Sequence, residues 1–129
     1  MSGRARRGTA GARASGRNYN ERVTPLVREA LQRYRARLDR ELPGRVRRLA
    51  LYGSHARGEA HEESDVDVLV VLSEATHRER ARAIDIGGEI GIELTLAVAP
   101  VVLTQAEWDE MVRRERRFVS EIERDEVEA

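Results

Sequence analysis

The chain has 129 residues, which is room for one domain with a modest core. Cysteine is absent, which excludes disulfides and thiolate metal sites and fits a cytoplasmic protein. We find no apolar run of about 18 residues and no apolar N-terminal segment, so we expect neither a membrane span nor a signal peptide. The formal net charge of zero argues against direct nucleic-acid binding by the domain as a whole.

Three segments follow from composition. Residues 1–19 carry five arginines and no acid among Gly, Ala and Ser, which predicts a disordered basic tail. Residues 20–123 hold the apolar periodicities and form the predicted domain. Residues 124–129 are mostly acidic and are predicted to be a frayed C-terminus.

The predicted elements begin with a helix. Thr24-Pro25 is typical of an N-cap followed by proline at the first helical position, and apolar residues then recur every three or four positions up to Pro43-Gly44. Residues 46–52 predict a first strand. A turn follows, with room for one helical turn after Ser54, and residues 66–72 predict a central strand covered on both faces.

Two capping boxes mark the remaining helices. Residues 76–79 begin a helix that we expect to end near residue 86, because Gly87 and Gly88 weaken it. Residues 92–103 predict a third strand, interrupted or at an edge near Pro100. Residues 104–107 begin another helix, and Phe118, Val119 and Ile122 indicate a short final one. The order predicts an α/β fold in which helices pack on a small sheet.

Two carboxylates stand at the start of the central strand. Asp65 and Asp67 are two positions apart, so in a strand both side chains point to the same face, with Cα atoms roughly 6.6 Å apart. Like charges so placed repel, and a bound cation removes that penalty. Mg²⁺ prefers oxygen ligands and commonly takes one or two carboxylates together with substrate phosphates. Two such ions roughly 3.5–4 Å apart would stabilise both the attacking and the leaving oxygen.

Gly53 and Ser54 strengthen this interpretation. Glycine allows a tight turn and a close approach of the backbone to a ligand. A serine at a helix start offers its hydroxyl beside free N–H donors, which suits an anion. The stretch therefore predicts a phosphate site beside a metal site.

The residues Gly53-Ser54-His55-Ala56-Arg57-Gly58 and Ser64-Asp65-Val66-Asp67-Val68-Leu69 resemble the signature of the DNA polymerase β-like nucleotidyltransferase superfamily. More narrowly, the chain is similar to the minimal nucleotidyltransferases. The resemblance implies the polymerase β-like fold with a small mixed sheet. It implies nucleotide phosphate binding by Gly53 and Ser54, and binding of Mg²⁺, as two ions, by Asp65 and Asp67.

The same resemblance implies a third carboxylate on the strand after the next helix. Glu93 is the acid in the predicted third strand and is therefore the expected third metal ligand and base. An exposed glutamate at a strand end is the alternative. Arg57 could contact phosphate or pair with Glu62 or Glu63, and Ser64 could assist the phosphate site or cap the turn before Asp65.

The implied activity is transfer of a nucleoside monophosphate, AMP from ATP, to an acceptor hydroxyl. Minimal nucleotidyltransferases are paired with helical HEPN toxins, which they neutralise as antitoxins by adenylylating a tyrosine, so the resemblance implies such a toxin as partner. One alternative is a weakly active or inactive module of the same fold that neutralises a partner by contact. Another is a small-molecule nucleotidyltransferase of the aminoglycoside type. The oligomeric state is left open.

Overall fold

The sheet has four strands in the order β3–β2–β1–β4, and helices pack on both of its faces. The computed structural model describes residues 23–61 and 64–128, so the predicted tail at residues 1–19 lies outside the described residues. β1 is antiparallel to both neighbours, whereas β2 and β3 are parallel. The elements are α1 (Pro25–Glu41), β1 (Val46–Tyr52), α2 (Ser54–Arg57), β2 (Val66–Leu72), α3 (His77–Leu94), β3 (Val98–Thr104), α4 (Gln105–Arg114), α5 (Arg116–Asp125) and β4 (Val127–Glu128).

Alternation along β2 separates two apolar layers. Val66, Val68 and Val70 pack in the larger core with α1 and α3. Leu69 and Val71 point the other way and pack with Trp108, Val119 and Ile122 of α4 and α5. These five residues of β2 are all buried, as the near-continuous apolar run predicts for a strand covered on both faces. The predicted α/β fold with a small mixed sheet is confirmed.

The helix starts follow the predicted caps. The hydroxyl oxygen of Thr24 accepts a hydrogen bond from the N–H of Val27, and Pro25 occupies the first turn of α1. Thr76 and Glu79 form a reciprocal capping box at α3, and Thr104 and Glu107 form one at α4. Each box satisfies two backbone N–H groups that a helix start otherwise leaves unpaired. These local signals were sufficient to place three of the helix starts.

The end of α3 differs from the prediction. The helix continues through Gly87, Gly88 and Gly91 to Leu94, so the expected strand over residues 92–103 was wrong in its first half. At Gly87 an added Cβ would lie 3.1 Å from both Pro100 and Tyr34, and at Gly91 it would lie 2.5 Å from the carbonyl oxygen of Leu96. These glycines allow α3 to approach α1 and β3 closely, and that packing outweighs their low helix propensity.

Ion pairs join the exposed sides of α1 and α3. Arg37 of α1 pairs with Glu89 and Glu93 of α3, and Arg33 pairs with Glu93. Arg82 of α3 supplies the cation of another pair between the helices, with Glu41 of α1, and it also pairs with Glu89 of its own helix. Between the same helices, the buried Tyr34 hydroxyl donates a 2.7 Å hydrogen bond to the carbonyl oxygen of Ala83. The two helices are therefore fixed to each other by polar contacts as well as by the core.

Residues 124–125 and 127–128 belong to regular secondary structure, within the segment 124–129 for which the composition predicted a frayed end. Asp125 completes α5, and Val127 and Glu128 form β4 against Leu51 and Ala50 of β1. Val127 is buried in the larger core. The acidic composition did not indicate that Val127 packs in the core. Nor did it indicate that Asp125 and Glu126 pair with arginines that lie far away in the sequence.

Candidate nucleotide and metal site

The candidate site begins where β1 ends beside the start of β2. Tyr52, the last residue of β1, is directly opposite Asp67 in the antiparallel register, and Gly53 follows it. Gly53 has φ 79° and ψ −158°, a region that is essentially restricted to glycine. A Cβ built there would lie 2.5 Å from Oδ2 of Asp67. Gly53 is thus required both by its backbone conformation and by the neighbouring carboxylate.

One helical turn, α2, follows Gly53, as the sequence allowed. The N–H of Arg57 donates to the carbonyl oxygen of Gly53 at 3.1 Å, and the N–H of Glu59 donates to that of Ser54 at 2.9 Å. Gly58 ends the turn in the left-handed region, with φ 75°. Ser54 is therefore the first residue of a tight turn that packs against the strand bearing the carboxylates.

Asp67 lies on the face of β2 that carries α4 and α5, because it alternates in phase with Leu69 and Val71, which belong to that layer. Asp65 directly precedes β2. Asp67 is half-buried and Asp65 is exposed. Burial, and secondly the charge of Asp65, raises the pKa of Asp67 above its ordinary value of 3.8, while His55 and Arg57 act in the opposite direction. The two negative charges therefore repel each other, as the sequence predicted.

His55 and Ser64 shape the loop before the carboxylates. Nε2 of His55 lies 3.1 Å from the carbonyl oxygen of Ser64, which joins α2 to the residue preceding Asp65. The Ser64 hydroxyl accepts a 3.1 Å hydrogen bond from the N–H of His61, so Ser64 has the turn-capping geometry that was one of its two interpretations. The sequence pattern assigns His55 no role, and only its place directly after Gly53-Ser54 could have indicated one.

Arg57 forms two ion pairs within the described residues. Its Nε donates to Glu59 at 2.9 Å, and its Nη1 donates to Oδ2 of Asp125 at 2.7 Å. The expected partners, Glu62 and Glu63, lie outside the described residues. The sequence interpretation missed Asp125 as a partner of Arg57, because Asp125 was assigned to the frayed acidic end.

Glu93 is not on a strand, and the prediction that placed it there was wrong. It lies near the end of α3, where its side chain is 47% exposed and both carboxylate oxygens accept from arginines of α1, Arg33 and Arg37. Its carboxylate therefore belongs to the α1–α3 ion pairs. The neighbour of Asp67 on β3 is Ala99, and β3 contains no acid.

The fit of the site to Mg²⁺ can be judged from these donors. Asp65 and Asp67 offer oxygen ligands two positions apart, and their mutual repulsion would be relieved by a cation. That set suits one ion that shares its ligands with nucleotide phosphates. Within residues 23–61 and 64–128, no group of three or more His, Cys, Asp or Glu side chains is arranged to hold a metal. The expected two-ion arrangement stays a prediction, and it would need ligands beyond these carboxylates.

Comparison with known proteins identifies the class. Residues 31–127 match the nucleotidyltransferase domain family, and the chain belongs to that family. It is a nucleotidyltransferase, with the Gly53-Ser54 turn and the Asp65/Asp67 pair in adjoining positions at the ends of two paired strands.

Two curated relatives come from Methanocaldococcus jannaschii. One, named "Putative protein adenylyltransferase MJ0141", is 31% identical over 75 residues, which are 57% of this chain and 76% of the relative. The other, named "Putative protein adenylyltransferase MJ0604", is 40% identical over 43 residues, which are 33% of this chain and 43% of the relative.

Two solved structures share the fold. A toxin–antitoxin crystallised with AMP-PNP aligns with a TM-score of 0.51 at 16% identity, over 74% of this chain and 68% of that chain. A mutant of the toxin–antitoxin MntA–HpeT aligns with a TM-score of 0.50 at 16% identity, over 76% of this chain and 70% of that chain. In the part of the present chain that the structure describes, no helix is long and apolar enough to cross a membrane.

Proposed function

We propose that this chain transfers AMP from ATP to a hydroxyl group of a partner protein. The observation that carries the proposal is the contact between Gly53 and Asp67, which joins the predicted phosphate turn to the predicted metal ligands. The names of the two relatives, protein adenylyltransferases, support AMP as the transferred group and protein as the acceptor. The fold neighbour that was crystallised with AMP-PNP supports an adenine nucleotide as the donor.

The proposed reaction is a single displacement. The acceptor oxygen bonds to the α-phosphorus of ATP, the bond between that phosphorus and the β-phosphate bridging oxygen breaks, and pyrophosphate leaves with the electron pair. The acceptor hydroxyl loses its proton. Positioning and electrostatic stabilisation account for most of the catalysis in such transfers. Mg²⁺ held by Asp65 and Asp67 would neutralise phosphate charge, while Gly53 and Ser54 keep the phosphates close to β1.

We further propose that the acceptor is a tyrosine of a HEPN-type toxin, which this chain neutralises as an antitoxin. Both fold neighbours are toxin–antitoxin structures, which supports a partner of that kind. The partner would bring its tyrosine to the face of the sheet on which Asp65 and Asp67 lie, because the acceptor oxygen has to reach the α-phosphorus beside these carboxylates.

The test uses the chain, Mg²⁺ and a HEPN-type toxin as the proposed partner, with ATP labelled either at the α- or at the γ-phosphate. Wild type is expected to label the toxin from α-labelled ATP but not from γ-labelled ATP, because AMP is transferred. Asp65→Asn and Asp67→Asn are expected to lower labelling at least ~100-fold, since each removes a metal ligand. Asp85→Asn, on the exposed side of α3, is the matched control and should label as wild type does. Equal labelling by the Asp67→Asn variant would exclude this site.

A second candidate function is neutralisation of the partner by contact, without turnover. Ala99 beside Asp67, and the engagement of Glu93 with α1, favour it because they leave the site with two carboxylates. This candidate predicts that wild type binds the toxin without labelling it. It also predicts that Asp67→Asn protects cells from the toxin as well as wild type does, whereas AMP transfer predicts loss of protection.

A further inference from the structure

Asp125 is the one buried charged side chain among the residues that the structure describes, with 4% of its side chain exposed. Burial of a carboxylate is costly unless it is paired and hydrogen-bonded. Both of its oxygens are used: Oδ2 accepts from Arg57 at 2.7 Å, and Oδ1 accepts from Nε of Arg124 at 3.2 Å. Arg124 is its sequence neighbour and is largely exposed, so the long-range contact is the one to Arg57.

Arg57 is held from two directions. Nε is bonded to Glu59 of the following loop, and Nη1 is bonded to Asp125 at the end of α5. A guanidinium has a planar, forked set of donors, so two fixed bonds determine where its remaining edge points. The side chain is still 38% exposed, and it extends from α2, which begins directly after Gly53, the residue that adjoins the Asp67 carboxylate. The guanidinium thus remains partly open to solvent on the turn that adjoins Asp67.

The pair also connects distant parts of the chain. Arg57 is in the turn that follows Gly53-Ser54, whereas Asp125 is 68 positions later and directly precedes the segment that forms β4. The C-terminal segment is already attached to β1 one residue away, where Glu126 pairs with Arg48 through two hydrogen bonds. Attachment of the segment to the sheet therefore does not require a second, buried acid that pairs with the nucleotide turn.

We propose that Asp125 is a positioning residue of the nucleotide site, which holds the Arg57 guanidinium in place to contact the phosphates of the bound nucleoside triphosphate. The inference rests on the proposed function, because it assumes that the triphosphate occupies the Gly53-Ser54 turn. Its consequence is that the C-terminal end of the domain takes part in nucleotide binding through a side chain that does not touch the nucleotide.

The experiment measures the dissociation constant of AMP-PNP in the presence of Mg²⁺ by calorimetry, and the urea-unfolding free energy of each variant. Asp125→Asn is expected to weaken AMP-PNP binding about tenfold, equivalent to about 1.4 kcal/mol. Glu126→Gln is the matched control because it breaks the neighbouring pair on the same segment without touching Arg57. It is expected to change the unfolding free energy while it leaves the dissociation constant within about twofold of wild type.

A double-mutant cycle distinguishes action through Arg57 from general loosening. Arg57→Gln alone is expected to weaken binding about tenfold, and adding Asp125→Asn to it should have no further effect. Additive losses, or wild-type binding by Arg57→Gln, would overturn the inference. If Asp125→Asn does not fold, Asp125→Glu takes its place in the cycle, because it keeps the charge and changes only the reach toward Arg57. Failure of wild type to bind AMP-PNP would instead refute the proposed function.

Discussion

Gly53 and Asp67 are adjacent across two strands, so close that a methyl group on Gly53 would lie 2.5 Å from the Asp67 carboxylate. The contact joins the turn expected to hold phosphates to the residue expected to hold the metal. It also means that the two halves of the motif cannot vary independently, because any side chain at position 53 would displace Asp67.

Gly53→Ala is expected to cost about 3 kcal/mol or more of unfolding free energy, since its backbone region is essentially restricted to glycine and the Cβ also clashes. AMP-PNP binding should weaken more than about tenfold. Gly44→Ala is the control, because Gly44 also has a positive φ of 75° but has open space around a Cβ. It should cost about 1–2 kcal/mol and leave nucleotide binding unchanged. Equal effects of both substitutions on binding would contradict the role of Gly53.

Asp67 should destabilise the fold at neutral pH when no cation is bound. Its pKa is raised in the folded chain by burial and by Asp65. The unfolded chain therefore ionises first as pH rises, and the unfolding free energy falls between the ordinary pKa of 3.8 and the raised folded value. Above that window the penalty is complete, and below 3.8 it is absent.

Asp67→Asn is accordingly expected to be more stable than wild type at pH 7, with the difference lost as pH falls below the window. Urea unfolding at pH 7 and pH 3, without Mg²⁺, measures this difference. Asp85→Asn, which changes an exposed carboxylate on α3, should show no comparable gain. A stability of Asp67→Asn below that of wild type at pH 7 would show that the carboxylate is satisfied in the absence of a cation.

Ala99→Asp should add a third carboxylate beside Asp67, because Ala99 is its neighbour in the parallel register. Without a cation, the added like charge should cost about 0.5–1 kcal/mol. Mg²⁺ should restore that stability, and Mn²⁺ titration with AMP-PNP present should rise from one bound ion per chain to two. Ala99→Asn matches the size without the charge and should keep one ion. An unchanged ion count in Ala99→Asp would indicate that position 99 does not face the site.

Replacing Gly88 or Gly91 of α3 with alanine should change the stability of the fold in opposite directions. Gly88→Ala places a methyl group in open space on the exposed side of the helix, so it should stabilise by about 0.5–1 kcal/mol. Gly91→Ala places one 2.5 Å from the carbonyl oxygen of Leu96 and should destabilise by about 1–3 kcal/mol. Thermal unfolding measures both. Stabilisation by Gly91→Ala would mean that α3 can withdraw from the turn before β3.

The sequence predicted those features that depend on neighbouring residues. Capping boxes at Thr76 and Thr104 and the turn after Gly53 are short-range properties, and the structure shows all three. The class of the protein followed from the same short stretch. The roles of Gly53, Ser54, Asp65 and Asp67 remain predictions, although their proximity supports them.

The errors arose where distant packing decides the outcome. Gly87 and Gly88 suggested the end of a helix, but Gly87 and Gly91 permit close contacts of α3 with Tyr34, Pro100 and Leu96. The β-branched residues after Gly91 then suggested a strand, which placed Glu93 in the wrong element. Asp125 was overlooked because its partner, Arg57, is 68 positions away. No local pattern in either segment reveals these partners.

The ion pairs between α1 and α3 have a consequence for work at alkaline pH. All their cations are arginines, and the chain contains no lysine. Guanidinium groups keep their charge far above the pH at which amines lose theirs, and burial raises the pKa of Tyr34 as well. The helix pair should therefore survive at about pH 9–10, where a tyrosine acceptor approaches its ordinary pKa of about 10. At that pH the proposed tyrosine acceptor would be partly ionised, so we expect the proposed transfer to be faster while the α1–α3 ion pairs persist.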